Sequence, residues 1–249
     1  PRPMAKNFPT SAGTSIEFNY SELKNVFAGA SAAATLARLV ERLGAQRVLL
    51  VASNSLSQAT DNFTEIRAAL GSNFAGLFHD IAAHTPRSDV MRALEVARET
   101  DADLLVSLGG GSIIDACKVV QLAIDQGVES EAQLIEYAQY GDGTRGSKYA
   151  DFSLFKGDPK IRQIAIPTTL SGAEFSNNAG VLNTQISAKE GYRGIDICPQ
   201  SIIYDPQLSL HTPQWLWFST AIRSLDHAVE GFCSADSHAF VDGHFLHAM

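Results

Sequence analysis

A short apolar run that ends in three consecutive glycines constrains the fold of this chain more than any other feature. Residues 104–108 have the length and composition of a buried strand, and Gly109, Gly110 and Gly111 follow them directly. Apolar side chains then recur at helical spacing, at Ile113, Cys117, Val120 and Ile124. The pattern predicts a strand, a tight turn and a helix in immediate succession.

The glycine turn is a candidate anion-binding site. Ser112, followed three residues later by Asp115, matches a capping-box pattern, which predicts that the helix begins here and that its first amide N–H groups face the turn. Glycines allow a ligand to approach the backbone closely, and free N–H groups at the positive end of a helix dipole attract phosphate. The turn is neither a Gly-x-Gly-x-x-Gly fingerprint nor a Walker loop. Three glycines also suit a simple strand-to-helix connection, so both interpretations stay open.

Predicted strands and helices alternate through most of the chain. The strands cover residues 15–18, 47–52, 76–79, 104–108, 161–166 and 201–204. The helices cover residues 31–43, 57–70 and 130–137, and further helices begin near residues 88, 112 and 213. Helices of about 10 to 15 residues between strands indicate a parallel, doubly wound α/β sheet, in which ligands bind at the carboxyl ends of the strands.

The character of the sequence changes after residue 205. Thr212 and Pro213 form an N-cap and first-turn pair, and the pattern from there to Met249 is helical, with one break near Ala235. We therefore predict a parallel α/β domain over residues 1–205 and the start of an all-helical domain over residues 206–249. Because the chain begins at Pro1 and the helical pattern continues to its end, we expect a truncated piece of a longer protein.

Charge and composition restrict the classes of partner. The 249 residues include 27 acidic and 19 basic side chains, for a formal net charge of −8, without basic stripes. This argues against nucleic-acid and anionic-membrane surfaces. No apolar run approaches the roughly 18 residues of a membrane span, and Cys117, Cys198 and Cys233 are too widely spaced for a metal knuckle. We interpret the cysteines as buried side chains of a protein in a reducing compartment. We expect a cytoplasmic protein whose partner is a small molecule, and a homodimer stays open.

Four motifs occur in an order that points to one family. They are Gly-Gly-Gly-Ser-x-x-Asp-x-x-Lys at residues 109–118, Ile-Pro-Thr-Thr-x-x-Gly-x-Glu at 166–174, Asp-Pro at 205–206 and His-Ala-x-Glu at 227–230. With them, the sequence resembles the iron-containing (group III) alcohol dehydrogenases, including maleylacetate-reductase-like members. The resemblance runs from about residue 27 to the end. By this resemblance the chain corresponds to the front two-thirds of a family member. The later helices of such a member, which carry further metal-ligand histidines, would follow it.

The resemblance implies an oxidoreductase whose N-terminal domain binds NAD or NADP, whose helical domain binds a divalent metal (Fe or Zn), and whose hydride transfer takes place in the cleft between them. The implied cofactor-binding residues are Ser53, Gly109, Gly110, Gly111, Ser112, Asp115, Lys118, Thr168, Thr169 and Leu170. The glycines and Ser112 would hold the diphosphate, residues 168–170 would line the opposite side, and Asp115 would lie near the nicotinamide. Lys118 would hold the cofactor or the start of the helix. A solvent-facing Lys118 and a merely capping Asp115 are the alternatives.

Ser53 bears on the choice between the two cofactors. At the matching position the family often carries an acidic residue that bonds the adenosine ribose and repels a 2′-phosphate. Ser53 is neutral, so the sequence leaves both NAD and NADP open. Glu174 and Lys189 also match family positions, but no role follows for them from the sequence.

The helix of the last motif departs from the family pattern. Metal-using members carry an aspartate four residues before the histidine, on the same helix face, but the matching residues here are Arg223 and His227. Arginine cannot ligate a cation, and Asp226 points about 100° away around the helix. The implied metal site is therefore damaged, with His227 as its remaining ligand.

Maleylacetate reductases resemble this family and are understood to work without the metal. By that likeness we expect catalytic roles for His227 and Arg223, whose guanidinium would polarise a carbonyl oxygen or clamp a substrate carboxylate. The alternatives are a structural ion pair from Arg223 to Asp226 or Glu230, and a His227 that is merely packed or solvated.

The sequence thus predicts an NAD(P)-dependent oxidoreductase that interconverts a small alcohol and its aldehyde, ketone or keto acid by direct hydride transfer. Two alternatives stay open. A dehydroquinate-synthase-like lyase would share the Gly-Gly-Gly turn, the Pro-Thr-Thr turn and NAD binding, although the His-Ala-x-Glu helix favours the dehydrogenases. A catalytically inactive, truncated nucleotide-binding module would keep the turn without the chemistry.

Overall fold

The computed structural model describes residues 22–57, 61–149, 159–234 and 239–249. The strands in these ranges are β1 (Asn25–Ala28), β2 (Val48–Ala52), β3 (Phe74–Phe78), β4 (Leu104–Gly109), β5 (Gln139–Tyr140), β6 (Arg162–Pro167), β7 (Asn178–Asn183), β8 (Ala188–Arg193) and β9 (Ser201–Tyr204). The helices are α1 (Ala32–Leu43), α2 (Asn54–Ser57), α3 (Asp61–Leu70), α4 (Arg87–Glu99), α5 (Gly111–Gln126), α6 (Glu131–Ile135), α7 (Pro206–Ser209), α8 (Gln214–Cys233) and α9 (Ala239–Ala248). The strand predicted at residues 15–18 lies outside the described residues.

Six strands form one parallel sheet in the order β1-β9-β6-β4-β2-β3. This confirms the predicted parallel, doubly wound α/β fold. From β2 the chain first goes outward to β3 and then returns to the other side of β2 to form β4. The direction of winding therefore reverses between β2 and β4, and ligands of such sheets bind in the crevice at the carboxyl ends of the strands at that point.

The two central strands explain why their sequences are continuous apolar runs. Every residue of β2 and β4 is buried. Alternate side chains enter opposite faces of the sheet: Leu105 joins the core on the side of α4 and α5, whereas Leu104 and Val106 join the core on the side of α1 and α3. A parallel strand covered by helices on both faces needs apolar residues at every position.

A second, antiparallel sheet was not predicted from the sequence. It consists of β5, β8 and β7 in that order, and its longest pairing joins β7 to β8. Its strands contain Asn178, Asn183, Lys189 and Glu190, which are poor strand formers. Tertiary contacts therefore hold this hairpin in place, and the short edge strand β1 was missed for the same lack of a strong pattern.

A buried ion network anchors the hairpin to the main domain. The Arg87 guanidinium at the start of α4 donates to Glu190 Oε1 at 2.7 Å and to Glu131 Oε2 at 2.9 Å. Asn183 Nδ2 and Tyr192 OH also donate to the Glu190 carboxylate, at 2.8 and 3.0 Å. Burial, with the neighbouring Glu190 carboxylate, raises the pKa of Tyr192, which keeps its hydroxyl a donor. The network supplies partners for a fully buried carboxylate on β8.

The C-terminal helices differ from the prediction at their start. Pro213, not Thr212, is the N-cap of α8, and the Thr212 hydroxyl donates instead to the carbonyl of Thr168 at 2.6 Å.

Large apolar side chains at spacings of three and four residues stay exposed along α8, at Trp215, Phe218, Ile222, Leu225 and Val229. The break predicted near Ala235 falls outside the described residues, and the domain division at residue 205 stays a prediction.

Two further expectations concern the cysteines and membranes. Cys117 and Cys198 are buried as expected, but the interpretation of Cys233 was wrong, because it lies exposed at the end of α8. Over the described ranges, none of the helices combines the length and apolar character that a bilayer crossing requires.

We expect Arg87→Ala to lower the free energy of unfolding by about 3–5 kcal/mol, because it leaves the buried Glu190 carboxylate without its cation. The side chains of Arg87 and Glu190 are 5% and 0% exposed, so solvent cannot replace the lost partner. Urea unfolding followed by circular dichroism measures the change. The exposed Arg42→Ala variant is the control, with an expected change within about 0.5 kcal/mol. Equal effects of the two substitutions would contradict the assigned role.

Candidate functional site

The carboxyl ends of three adjacent strands meet at one edge of the parallel sheet. The amide of Ser53, after β2, donates to the carbonyl of Leu108 at 2.9 Å, and the amide of Thr168, after β6, donates to the carbonyl of Gly109 at 3.0 Å. The structure therefore brings the predicted residues Ser53, Gly109 and Thr168 side by side at the point where the winding of the sheet reverses.

The glycines of the turn are required by close packing. Gly109 has φ +153°, and a Cβ added there would lie 2.8 Å from Ile113 Cγ1 and 3.3 Å from Ser53 Cβ. A Cβ on Gly110 would lie 3.1 Å from Thr169 Cγ2, and one on Gly111 would lie 2.9 Å from Ser171 Oγ. Side chains at these positions would collide with these neighbours, so the turn can pack against the residues that follow β2 and β6 only if it consists of glycine.

The capping-box prediction was wrong. Helix α5 begins at Gly111, its N-cap is Gly110, and none of the described side chains caps it. Ser112 already belongs to the helix, so its hydroxyl is free to accept a hydrogen bond from the His84 amide at 3.1 Å, and its carbonyl accepts one from Thr85 Oγ1 at 3.0 Å. His84 and Thr85 both have positive φ, 66° and 57°, so these contacts hold a strained segment against the helix start.

The start of α5 offers unsatisfied polar groups. Within the described part of the chain, the amide N–H groups of Gly111 and Ser112 have no hydrogen-bond acceptor. The Thr169 hydroxyl is buried beside Gly110 and also lacks a partner among the described residues. Donors at the positive end of a helix, next to an unpartnered hydroxyl, suit an anionic group such as a diphosphate.

Lys118 and Asp115 connect α5 to the residues that follow β6. Lys118 is fully buried, and its ammonium donates to the carbonyls of Ala173 and Asn178 at 2.5 and 2.6 Å and to Ser176 Oγ at 3.0 Å. Asp115 Oδ1 lies 3.3 Å from this ammonium, and Asp115 Oδ2 accepts a hydrogen bond from the Gly180 amide at 3.0 Å. The alternatives of a solvent-facing Lys118 and a capping Asp115 are therefore wrong.

Helix α8 is tied to the turn after β6 by three hydroxyl groups. The Leu170 amide donates to Thr220 Oγ1 at 3.1 Å, and Ser224 Oγ donates to the Leu170 carbonyl at 2.8 Å. Thr212 adds its bond to the carbonyl of Thr168. Sequence reasoning missed Thr220 and Ser224, because isolated hydroxyls on a helix carry no pattern, and it assigned Thr212 to the N-cap of the helix instead. The three hydroxyls hold α8 against the turn after β6, so that residues of α8 and of the start of α5 line one cleft.

These contacts create a cleft of about 510 Å³. It is lined by His84, Thr85, Gly111, Ser112, Asp115, Ser171, Gly172, Ala173, Ser176, Asn178, Gly180, Lys189, Arg223 and His227. The structure thus brings together Gly111, Ser112 and Asp115 of α5 with Arg223 and His227 of α8. It also adds His84, which the sequence did not single out because its segment has no periodicity.

Arg223 lines the cleft and also forms an ion pair. Its guanidinium forms an ion pair with Asp226, one turn further along α8, which is one of the two pairings considered from the sequence. The two side chains are 56% and 43% exposed. Ion pairs at such exposed positions contribute little to stability, so this pair leaves Arg223 available to a ligand.

The described residues do not fit the divalent metal that the family resemblance implies. His227 lines the cleft, but Arg223 stands four residues before it, and Asp226 is engaged with that arginine. Among the residues that the structure describes, no three His, Cys, Asp or Glu side chains are grouped closely enough to hold a metal ion.

Two other motif residues have structural roles. Asp205 caps α7 by accepting from the Gln207 amide at 3.0 Å, and its second oxygen accepts from the Ala32 amide at 2.7 Å. Glu174 is buried and accepts a hydrogen bond from the Tyr204 hydroxyl at the end of β9. Burial, together with this bond, raises the pKa of Tyr204. Both residues join segments at the carboxyl edge of the sheet.

Fold and site together define a doubly wound α/β domain with a candidate anion-binding turn at its reversal point. A family model described as iron-containing alcohol dehydrogenase matches residues 24–206. The dehydrogenase FUM7 of Gibberella moniliformis is 37% identical over 210 residues, which cover 81% of this chain and 47% of that protein. The chain therefore belongs to the iron-containing alcohol dehydrogenase family.

Solved structures show the same relationship. A maleylacetate reductase from Rhizobium sp. is 27% identical, with a TM-score of 0.69, covering 93% of this chain and 55% of that one. A sulfoacetaldehyde reductase from Bifidobacterium kashiwanohense, solved in complex with NAD+, is 20% identical, with a TM-score of 0.76. The match covers 94% of this chain and 58% of that one, and at this identity it shows a shared fold only. The chain spans about half the length of the curated relatives it matches, less than the two-thirds expected from the sequence.

We expect Lys118→Met to lower the free energy of unfolding by at least about 2 kcal/mol, because buried carbonyls and the Asp115 carboxylate would lose their shared donor. Amide hydrogen exchange at residues 173–180 should become faster, because the ammonium ties these residues to α5. Lys24→Met, at an exposed position before β1, is the matched control and should leave both measurements unchanged. Unaltered exchange in Lys118→Met would exclude the linking role.

Proposed function

We propose that this chain binds NAD or NADP at the glycine turn and contributes to hydride transfer between the nicotinamide and the carbon of a small alcohol, aldehyde, ketone or keto acid. One observation carries the proposal. The start of α5, where the amides of Gly111 and Ser112 have no acceptor among the described residues, lies at the reversal point of the sheet and lines the same cleft as Arg223 and His227. The family membership and the NAD+ complex of the sulfoacetaldehyde reductase support it.

The proposed cofactor contacts follow from the strand ends. The diphosphate would receive hydrogen bonds from the amides of the glycine turn and from the buried Thr169 hydroxyl. Residues 168–170 would bound the cofactor on the side of β6, and Ser53 would face the adenosine ribose. The Ser53 hydroxyl lies 3.5 Å from Ser55 Oγ. Because Ser53 carries no charge, the proposal extends equally to NAD and NADP.

The protein residues of the cleft would stabilise charge and move the proton. When bound, a nicotinamide cofactor supplies or accepts the hydride. The Arg223 guanidinium would stabilise negative charge on the substrate oxygen or hold a substrate carboxylate, a role for which a fixed cation is suited. His227 would hold the proton that the substrate oxygen gains or loses, since an imidazole nitrogen can both accept and donate a proton. Asp115, bonded to Gly180 and Lys118, would keep the α5 side of the cleft in place.

Relatives named maleylacetate reductases favour a keto acid among the proposed substrates. The homodimer, the cytoplasmic location and the division into an α/β domain and a helical segment stay predictions. An inactive nucleotide-binding module would bind the cofactor without turnover, and a dehydroquinate-synthase-like protein would turn over a different class of substrate. Assays on the chain separate these alternatives.

Titration with NADH and NADPH, followed by nicotinamide fluorescence, tests the cofactor proposal. We expect saturable binding, weakened at least about tenfold by Gly110→Ala, because the added methyl would press against Thr169 and narrow the diphosphate site. Gly141→Ala is the control, since an added Cβ there meets none of the described atoms within 4 Å. Absence of binding to the unsubstituted, folded chain would refute the proposal for both cofactors.

Arg223→Ala should reduce kcat/KM for a keto acid by roughly 100-fold, the scale of losing one preorganised charge in an active site. The dissociation constant for NADH should change less than about twofold, because the arginine acts on the substrate. Arg223→Lys should recover part of the activity, since it keeps the charge without the planar fork. Unchanged turnover in Arg223→Ala would remove Arg223 from the mechanism, and NADH binding without turnover in the parent chain would favour the inactive module.

A further inference from the structure

A second concave site lies at the opposite edge of the parallel sheet from the cleft. It is a cavity of about 220 Å³, formed where β4 and β6 begin and where α1 ends. The length of β4 separates it from the glycine turn by about 20 Å, at about 3.3 Å per residue. The polar side chains of its lining belong to Asp103, Lys160, Arg162 and Gln200.

Arg162 supplies this cavity with a mostly buried cation that is short of acceptors. Its side chain is 15% exposed, and its ion-pair partner, Asp196 Oδ1, lies 3.6 Å from Nη1, beyond hydrogen-bond distance. Nη2 donates to the carbonyl of Cys198 at 3.1 Å, but Nε has no acceptor among the described residues. Burial lowers the pKa of the Arg162 guanidinium. The positive charge is therefore incompletely compensated, and a negative charge in the cavity would stabilise it.

Gln200 adds a buried amide that has no partner. The residue is 7% exposed, and its side chain forms no hydrogen bond with any of the residues that the structure describes. Its backbone, in contrast, is fixed, because the amide donates to the Gln163 carbonyl at 2.9 Å and the carbonyl accepts from the Lys24 amide at 2.8 Å. Buried side-chain amides nearly always have a hydrogen-bond partner, so a ligand oxygen in the cavity would supply what the protein leaves out.

The other two polar residues leave the balance of charge in the cavity positive. The Lys160 ammonium is exposed and only 3.4 and 3.5 Å from two carbonyls at the end of α5. Asp103 is the one carboxylate of the lining, and its two oxygens accept the amides of Gln46 and Arg47, each at 2.9 Å. The Arg47 guanidinium also lies 3.9 Å from it. Two cations therefore line the cavity together with one carboxylate that is already engaged.

We propose that this cavity binds a small, multiply charged oxyanion, of which inorganic phosphate is the simplest, through the Lys160 ammonium and the Gln200 amide, with the Arg162 guanidinium as the buried counter-charge. Phosphate presents acceptor oxygens in every direction and pairs well with cationic donors. The cavity is smaller than the roughly 300 Å³ at which pockets for larger ligands begin, so it suits an ion rather than a dinucleotide. The site is separate from the proposed function and does not depend on it.

Calorimetric titration with inorganic phosphate, at an ionic strength held constant with sodium chloride, tests the proposal. We expect saturable binding to one site, weakened at least about tenfold in Gln200→Leu, which keeps the volume without the amide, and in Lys160→Ala. Lys148→Ala is the matched control, because this lysine is 54% exposed and pairs with Glu136 outside the cavity. Circular dichroism would verify that each variant is folded, and the exposed position of Lys160 makes its loss harmless to the core.

Repeating the titration with saturating NADH separates this cavity from the glycine turn, which offers similar anionic chemistry. A phosphate dissociation constant that changes less than about twofold supports the proposal, whereas displacement of phosphate by NADH would place the ion at the turn and overturn it. Absence of saturable binding, unaltered affinity in both Gln200→Leu and Lys160→Ala, or equal weakening in Lys148→Ala would also overturn it. Acetate should bind at least about tenfold more weakly than phosphate, since it carries a single charge. A chain that binds phosphate but not NADH would refute only the proposed function.

Discussion

The buried ammonium of Lys118 is the interaction on which the site depends. Three oxygens from residues 173–178 and the Asp115 carboxylate surround it, so a single side chain joins α5 to the turn after β6 and to the start of β7. An isolated buried charge would be very costly, and only this complete set of acceptors makes the arrangement stable. Because α5 begins at the glycine turn, the same contacts fix the position of the proposed anion-binding amides relative to the cleft.

The site is assembled from segments that are individually unfavourable. Left-handed backbone at His84 and Thr85 costs of order 1–3 kcal/mol per residue, and a helix start without a side-chain cap leaves amides unsatisfied. The Ser112 hydroxyl and carbonyl, together with pairing of the 84–86 segment to Leu182 of β7, offset part of this cost. Free amides and a concave wall of basic groups are what a phosphate-bearing cofactor and an anionic substrate would require.

How well the sequence predicted each part depended on whether local chemistry or distant contacts decided it. The run 104–108 and the three glycines predicted β4, the turn and α5, because a strand buried on both faces must be apolar throughout. The capping box at Ser112 failed because its hydroxyl bonds a loop 28 residues away. The hairpin β7–β8 was missed because a buried network around Glu190, rather than strand propensity, stabilises it.

By itself, the sequence determined the parallel α/β fold and the position of the glycine turn, because apolar periodicity and glycine placement are local requirements of backbone and core. Its four ordered motifs indicated the family by resemblance. Only the tertiary structure decided that Lys118 is enclosed, that Thr212, Thr220 and Ser224 hold α8 over α5, and that His84, Lys189, Arg223 and His227 line one cleft. These relations depend on hydrogen bonds and charges between residues far apart in the chain. No local pattern encodes such distances, since the same hydroxyls and lysines would be equally acceptable on a solvated surface.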